Sequence, residues 1–487
     1  MIATILLPSP RETQLEQEIL YLKAQIAALF ERIHEQDRQI TELKEQLALR
    51  DARISELERR LRLNSTNSSK PPSSDFLAKP CSSPKSTAKK GAKVGHPGTT
   101  RKDFGVPDRT EDLVPETCDA CGSFLKDLPL LPGHRHQVAE WVAKPIEITE
   151  YHHQQRICPC CHKRVQAPYP TDILPGSRLG PKLIAHLVLF NRWGHMSLEK
   201  LQRLLSEDFG LSITTGTIRN AFVRVHEALK TPYLLLAQSL PLCPMLNIDE
   251  TGWRIEGERF NVWTFSTVSF TFLKVAKTRG HVVLDEVLGK DYGGLIICDF
   301  LATYDRYLTQ RCLAHLRRDL KACLEEKDNQ CRAFAAEALG YIKEAWELWK
   351  QHRQGGLSLA MLQEKGRGIV TECRKFIDTL PSSLPAPAVT LRKRFIDDWD
   401  SLWIFLSDPT VMPHNNDAER SLRPIVTLRK MSGGSQSTWG ADLSAEVHTV
   451  LATCRKQGRN AHEFIVQALL AKAHSTLPMP SLLPPKT

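Results

Sequence analysis

Three carboxylates stand where an acid can do more than solvate a surface. Asp249 closes the run Met245-Leu-Asn-Ile-Asp249, with Thr251 and Gly252 following as turn chemistry, and Asp299 closes Leu295-Ile-Ile-Cys-Asp299 in the same way. An apolar, β-branched run that stops at Asp predicts a buried strand delivering its acid at the edge of the core. The third acid, Glu419, lies in Pro413-His-Asn-Asn-Asp-Ala-Glu419-Arg-Ser-Leu-Arg423, where Asn residues can cap an opening helix. Two magnesium ions about 4 Å apart can stabilise both the attacking and the leaving oxygen of an in-line phosphoryl displacement, and hard cations take oxygen ligands. Asp, Asp and Glu are the ligand types for that task. Strand geometry sends Asp249 and Glu250 to opposite faces, so only one of them is expected beside Asp299. Arg423, one helical turn after Glu419, can hold that carboxylate or meet a phosphate.

These acids need a scaffold. Arg259–Ser266 and Phe270–Ala276 read as paired strands, with Glu256-Gly257 as the turn leading in; a helix near His281–Leu288 precedes the Asp299 strand, and Thr309–Leu313 reads as a fifth strand. The order predicts a mixed sheet flanked by helices over residues 240–470. From about 314 to 399 the pattern is helical. Arg420, Arg423, Arg429 and Lys430 follow Glu419 as a basic flank suited to a polyanion, with Arg455, Lys456 and Arg459 further on. Ser432-Gly-Gly-Ser435 offers backbone that can approach a phosphate.

Together, Asp249-Glu-Thr, Asp299 with Ala302-Thr-Tyr-Asp305, Arg311-Cys-Leu-Ala-His-Leu-Arg-Arg318 and His414-Asn-Asn-Asp-Ala-Glu-Arg420 closely resemble the transposases of the insertion-sequence-66 family. The resemblance implies a ribonuclease-H-like fold with Asp249, Asp299 and Glu419 as catalytic metal ligands and a helical insertion between the second and third acids. It implies DNA cleavage at an element end, then attack of the freed 3′-hydroxyl on target DNA. The cofactors implied are two magnesium or manganese ions, and accessory transposition proteins become plausible partners. An inactive DNA-binding regulator and a structure-specific nuclease on the same fold are the competing function classes.

Ahead of this half the chain changes character several times. Over residues 12–63, Leu15, Ile19, Leu22, Ile26, Leu29, Ile33, Ile40, Leu43, Leu47, Ile54, Leu57 and Leu61 recur at coiled-coil spacing, with Gln36 and Arg50 in the seam. A seam that narrow predicts self-association. Residues 64–110 form a Ser-, Pro- and Lys-rich linker; between 65 and 109 nine Lys or Arg face three Asp, a surplus suited to phosphate contact.

Cys118-Asp-Ala-Cys121 and Cys158-Pro-Cys-Cys161, with strand-like stretches around 138–142 and 146–151 between them, predict a domain over 111–170 closed by one structural zinc on Cys118, Cys121, Cys158 and Cys161. Cys160 and His162 are the substitute ligands, and the resemblance implies a zinc domain here as well. Residues 171–235 predict a helix-turn-helix-like region, with Thr214 or Thr215 capping a helix whose Thr217, Arg219 and Asn220 reach DNA. Residues 471–487 are a tail.

Composition bounds the rest. The formal net charge of +10 suits DNA, 13 cysteines without a secretory leader suit a reducing cytoplasm, and no apolar run reaches the roughly 20 residues of a membrane helix.

Overall fold

The computed structural model describes residues 169–484 apart from Ser382, together with 31–47, 146–150, 155–157, 164–166 and the single positions Lys23, Gln25, Leu29, Arg50, Phe124 and Cys160. In chain order the elements begin with helix α1 (31–47), then strands β1 (Gln155–Ile157) and β2 (Arg164–Gln166), then α2 (Pro181–Arg192), α3 (Leu198–Glu207) and α4 (Thr215–Ser239). Strands β3 (Met245–Ile255), β4 (Glu258–Ser266) and β5 (Thr271–Ala276) lead to α5 (Val282–Leu288), β6 (Leu295–Cys298) and β7 (Thr309–Arg311). A helical block follows: α6 (Leu313–Leu324), α7 (Asn329–Arg353), α8 (Leu359–Thr379), α9 (Ala386–Asp397), α10 (Trp399–Leu402) and α11 (Ile404–Ser407). Helices α12 (Asn416–Ser432), α13 (Thr438–Lys456) and α14 (Ala461–Ala473) close the chain.

Five strands are hydrogen-bonded in the order β5-β4-β3-β6-β7. Strands β3, β6 and β7 run parallel, in register Met245↔Leu295 and Ile296↔Thr309, and β4 pairs antiparallel with β5. All four residues of β6 are buried, as expected for a strand covered on both faces. The turn from β3 into β4 uses Glu256 (φ 51°) and Gly257 (φ 84°), the left-handed pair that suits a two-residue hairpin.

Contacts divide the chain into two compact units. In the first, Cys243–Asp249 and Asp291–Glu419 place β6 and β7 with helices α6 to α11. Its core joins Leu295 and Ile297 to Leu313, Leu316 and Leu320 of α6, to Phe334 and Ile342 of α7, and to Phe395 and Phe405. The second unit includes 169–242, Glu250–Lys290 and 420–484. There Leu422, Ile425 and Leu428, spaced along one face of α12, pack on Trp253, Val262 and Leu273 of the strands and on Ala441 and Ala445 of α13. Helices α2, α4 and α14 pack on one another, and α13 lies on β5.

Of the N-terminal expectations, α1 is helical and keeps its apolar seam in solvent: Ile33, Ile40, Leu43 and Leu47 are each about half exposed or more. Strand β1 pairs antiparallel with β2. Residues 146–150 carry no strand, against the alternation of their sequence; Ile148 is 83% exposed, and alternation without a face to bury does not hold a strand. The stretch 138–142, the whole of the 64–110 linker and the zinc ligands Cys118, Cys121, Cys158 and Cys161, with His162, lie outside the described residues. Cys160 is exposed.

Candidate active site

In the first unit, two of the three acids come together. Parallel pairing of β3 with β6 brings the ends of two apolar runs side by side, and carboxylate oxygens of Asp249 and Asp299 lie within 4.8 Å of each other. Both residues are half-buried. In the second unit the Glu250 side chain is fully buried and accepts from Arg279 Nε at 3.0 Å.

The loop after Asp299 is fastened from within. Asp299 Oδ1 accepts from Leu301 N at 2.9 Å. Arg311, at the end of β7 and only 3% exposed in its side chain, donates to the carbonyl of Asp299 (2.9 Å) and to Asp398 Oδ1 (2.7 Å), and pairs with Asp305. A buried guanidinium with five donors can fix a loop in this way because each donor points in a set direction.

Glu419 falls into a different group. Its oxygen, the Cys312 thiol and a His315 ring nitrogen lie within 4.8 Å of one another, with Glu419 Oε1 and His315 Nδ1 3.7 Å apart. Among the described residues, both of these atoms are buried without a hydrogen-bond partner. A buried carboxylate oxygen in that state is costly unless a ligand completes it. Burial pushes the Cys312 thiol up to about 12, with the nearby Glu419 charge adding to the shift.

The helix bearing Glu419 is tied to the strand bearing Asp249. Asn415, fully buried just before α12, donates from Nδ2 to the carbonyl of Ile248 (2.6 Å) and accepts from Asn247 Nδ2 (3.0 Å), while Glu419 N donates to Asn415 O (3.2 Å). Asn415 N also donates to Cys312 Sγ (3.1 Å), and Leu313 N to Pro413 O (2.9 Å), which joins the start of α6 to the same segment. The sequence reading passed over Arg311, Cys312, His315 and Asn415 as site builders. Their only local signal was membership of the motifs Arg311–Arg318 and His414–Arg420.

In the second unit the expected DNA-contacting residues divide. Thr214 caps α4 by accepting from Thr217 N (3.2 Å); Thr217 is half-buried, and Arg219 and Asn220 are exposed on the first turns. The Arg219 guanidinium lies 5.4 Å from the Trp439 ring centroid. On α12, Arg420, Arg423 and Lys430 are exposed, but Arg429 donates to Thr251 Oγ1 (3.1 Å) and to the carbonyl of Gly252. Of the later cations, Lys456 Nζ donates to Ser266 Oγ (2.7 Å) and Arg459 to the carbonyl of Ser481 (2.6 Å).

The glycine-rich stretch is likewise occupied by protein. Ser435 N donates to Arg254 O (2.8 Å), Glu256 N donates to Ser435 O (3.0 Å), and Trp253 Nε1 donates to Ser435 Oγ (3.2 Å). Gly434 (φ 129°) sits so close to the Arg254 carbonyl that a Cβ would collide with it. The expected phosphate loop is instead a backbone clasp along β3.

A family model described as "Transposase IS66 family" matches residues 176–443, more than half of the 487-residue chain, and spans all three acids. A second, described as a family of unknown function (DUF6444), matches residues 40–102. Over 408 residues the chain is 23% identical to a protein of Sinorhizobium fredii (strain NBRC 101917 / NGR234) named "Uncharacterized protein y4hP", covering 76% of this chain and 73% of that one.

Proposed function

Because this chain belongs to the transposase IS66 family, we propose that it cuts DNA at the ends of an insertion sequence and joins them to a target, using Asp249, Asp299 and Glu419 as cation-binding carboxylates. The observation that carries this reading is the meeting of Asp249, within β3, with Asp299, just past the end of the parallel strand β6, beside a Glu419 whose Oε1 has no hydrogen-bond partner among the described residues and whose helix is led in by Asn415, bonded to the Asp249 strand. Hard carboxylate oxygens at that spacing fit Mg2+ or Mn2+, and an orphaned buried oxygen fits a missing cation. Two such ions would neutralise charge developing on the attacking and leaving oxygens.

The residues of the chain have separate tasks in this scheme. Asp249 offers its oxygens from within β3 and Asp299 from just past the end of β6, Arg311 keeps the Asp299 loop in one conformation, and Asn415 sets the start of the Glu419 helix. Arg420, Arg423 and Lys430 meet phosphates, while Thr217, Arg219 and Asn220 read or grip DNA at the start of α4. The strand order β5-β4-β3-β6-β7, with the first hairpins antiparallel and the last strands parallel, supports a ribonuclease-H-like catalytic domain interrupted by helices α6 to α11.

In the same scheme Cys118, Cys121, Cys158 and Cys161 close a structural zinc domain. The chain pairs with itself through the seam exposed on α1, since isolated apolar seams of this kind are stabilised by a second helix. Accessory transposition proteins join it on the DNA. Among the described residues no helix is long and apolar enough to cross a membrane.

The test is cleavage and joining of labelled DNA carrying the element's ends, with Mg2+ or Mn2+, comparing the wild type with Asp299→Asn and Glu419→Gln. Joined products that require metal and disappear in both variants, while DNA binding survives, are the expected result. Binding without cleavage by the wild type would favour a regulator, and cutting without joining a nuclease.

A further inference from the structure

Glu419 has close neighbours that the catalytic scheme does not use. Cys312 and His315 are separated by two residues at the N-terminal end of α6, so one helical turn presents a thiol and an imidazole on the same side. Their ligand atoms and a Glu419 oxygen lie within 4.8 Å of one another, with His315 Nδ1 3.7 Å from Glu419 Oε1, and among the described residues neither of these two buried atoms has a hydrogen-bond partner. A tetrahedral zinc site with bonds of about 2.0–2.3 Å separates its ligand atoms by roughly 3.3–3.8 Å. The arrangement is built in advance: Leu313 N on Pro413 O and Asn415 N on Cys312 Sγ hold the start of α6 against the segment leading into α12. Cys312 is wholly buried and the side chains of His315 and Glu419 are 18% and 24% exposed, so solvent reaches two of the three ligands.

We propose that Cys312, His315 and Glu419 form a second divalent-cation site, distinct in chemistry from the carboxylate pair, that takes Zn2+ or Co2+ in preference to Mg2+. One sulfur and one nitrogen ligand select a borderline-soft ion, because Mg2+ requires oxygen ligands in near-octahedral array. An ion captured here engages Glu419 Oε1 and withdraws the third acid from Mg2+. Zinc is thus an antagonist of the reaction; that consequence rests on the proposed catalytic role of Glu419, whereas the binding itself does not.

The experiment counts metal on the full-length chain after dialysis in a zinc-buffered solution. Wild type is expected to hold one zinc ion per chain more than Cys312→Ser, His315→Gln or Glu419→Gln, and Asp299→Asn is expected to keep that ion. With Co2+ in place of Zn2+, the wild-type spectrum minus that of Cys312→Ser shows a thiolate-to-cobalt charge-transfer band. Equal zinc in the wild type and the Cys312 and His315 variants, or loss of the extra ion in Asp299→Asn, would overturn the proposal. Failure of the catalytic reading shows separately, as no Mg2+-dependent cleavage by a wild type whose zinc count is as expected.

Discussion

The two ends of α12 treat their charged side chains in opposite ways. At its start, Glu419 faces His315 with buried polar atoms that have no hydrogen-bond partner among the described residues. Toward its end, Arg429 is held by Thr251 and Gly252, and the Ser432–Ser435 stretch clasps the backbone of β3 through Arg254 and Glu256. An unsatisfied buried group costs stability, so a fold retains one where a ligand supplies the partner; a satisfied group contributes to the fold itself. The acids therefore read as chemistry, and part of the basic flank reads as architecture.

The largest effect is expected where the acid end depends on its scaffold. Arg311→Met removes the buried partner of Asp398 and Asp305 and the donor to the Asp299 carbonyl. Because Asp305 is largely exposed and Asp398 partly so, the loss is that of the charge-assisted hydrogen bonds, about 1.5–3 kcal/mol each. A clear fall in the denaturant midpoint, with loss of joining, is the outcome; unchanged stability would mean that Arg311 does not hold the loop.

Next in size is Gly434→Ala at the other end. The φ of 129° and the nearby Arg254 carbonyl leave no room for Cβ, so a loss of about 1–3 kcal/mol is expected. If the stretch is a clasp, DNA affinity per folded molecule stays the same. A selective loss of DNA binding without loss of stability would restore the phosphate-loop reading.

These cases explain what the sequence could reveal. The apolar runs leading to Asp249 and Asp299, the Glu256-Gly257 turn and the succession of five strands followed from short-range pattern, because burial and turn chemistry repeat within a few residues; the expected stop at Asp249 did not, since β3 continues through Thr251 and Gly252 to Ile255, where Trp253 and Ile255 are buried against α12 and α13. The roles of Arg311 and Asn415 did not, since Arg311 meets Asp398 and Asn415 meets Ile248, far away in the chain. Nor did the clasp, because a glycine pair announces permissive backbone without saying whether a phosphate or a strand will approach it.

Orphaned atoms occur away from the acids too. In the second unit Arg192 Nε, His195 Nδ1 and His448 Nε2 are buried without hydrogen-bond partners among the described residues. His448 donates from Nδ1 to Ser444 O (2.7 Å), and burial, with the nearby Arg192 and His195 charges, lowers its pKa to about 4. A depressed value means stability that is full above the ordinary histidine pKa and lost as pH falls through the folded one. The unfolding midpoint should decline between about pH 6.5 and 4, and His448→Gln should flatten that decline. An unchanged acid limb in the variant would remove His448 as its source. His226, raised mainly by its hydrogen bond to Glu446, works in the other direction: its contribution is present below the ordinary histidine value and fades as pH rises through the folded one.

The smallest effect separates two cations of one helix. Arg423 is exposed, whereas Arg429 is tied to β3. A phosphate contact releases about one counterion, so Arg423→Ala should weaken DNA binding across sequences and reduce the slope of log affinity against log salt by about 1. Arg429→Ala should lower stability while leaving that slope in place, because its charge is already engaged by Thr251 and Gly252. Salt titrations of both variants decide the matter. Equal slope changes would show that Arg429 leaves β3 when DNA arrives, and the contrast between the two ends of α12 would then describe only the DNA-free protein.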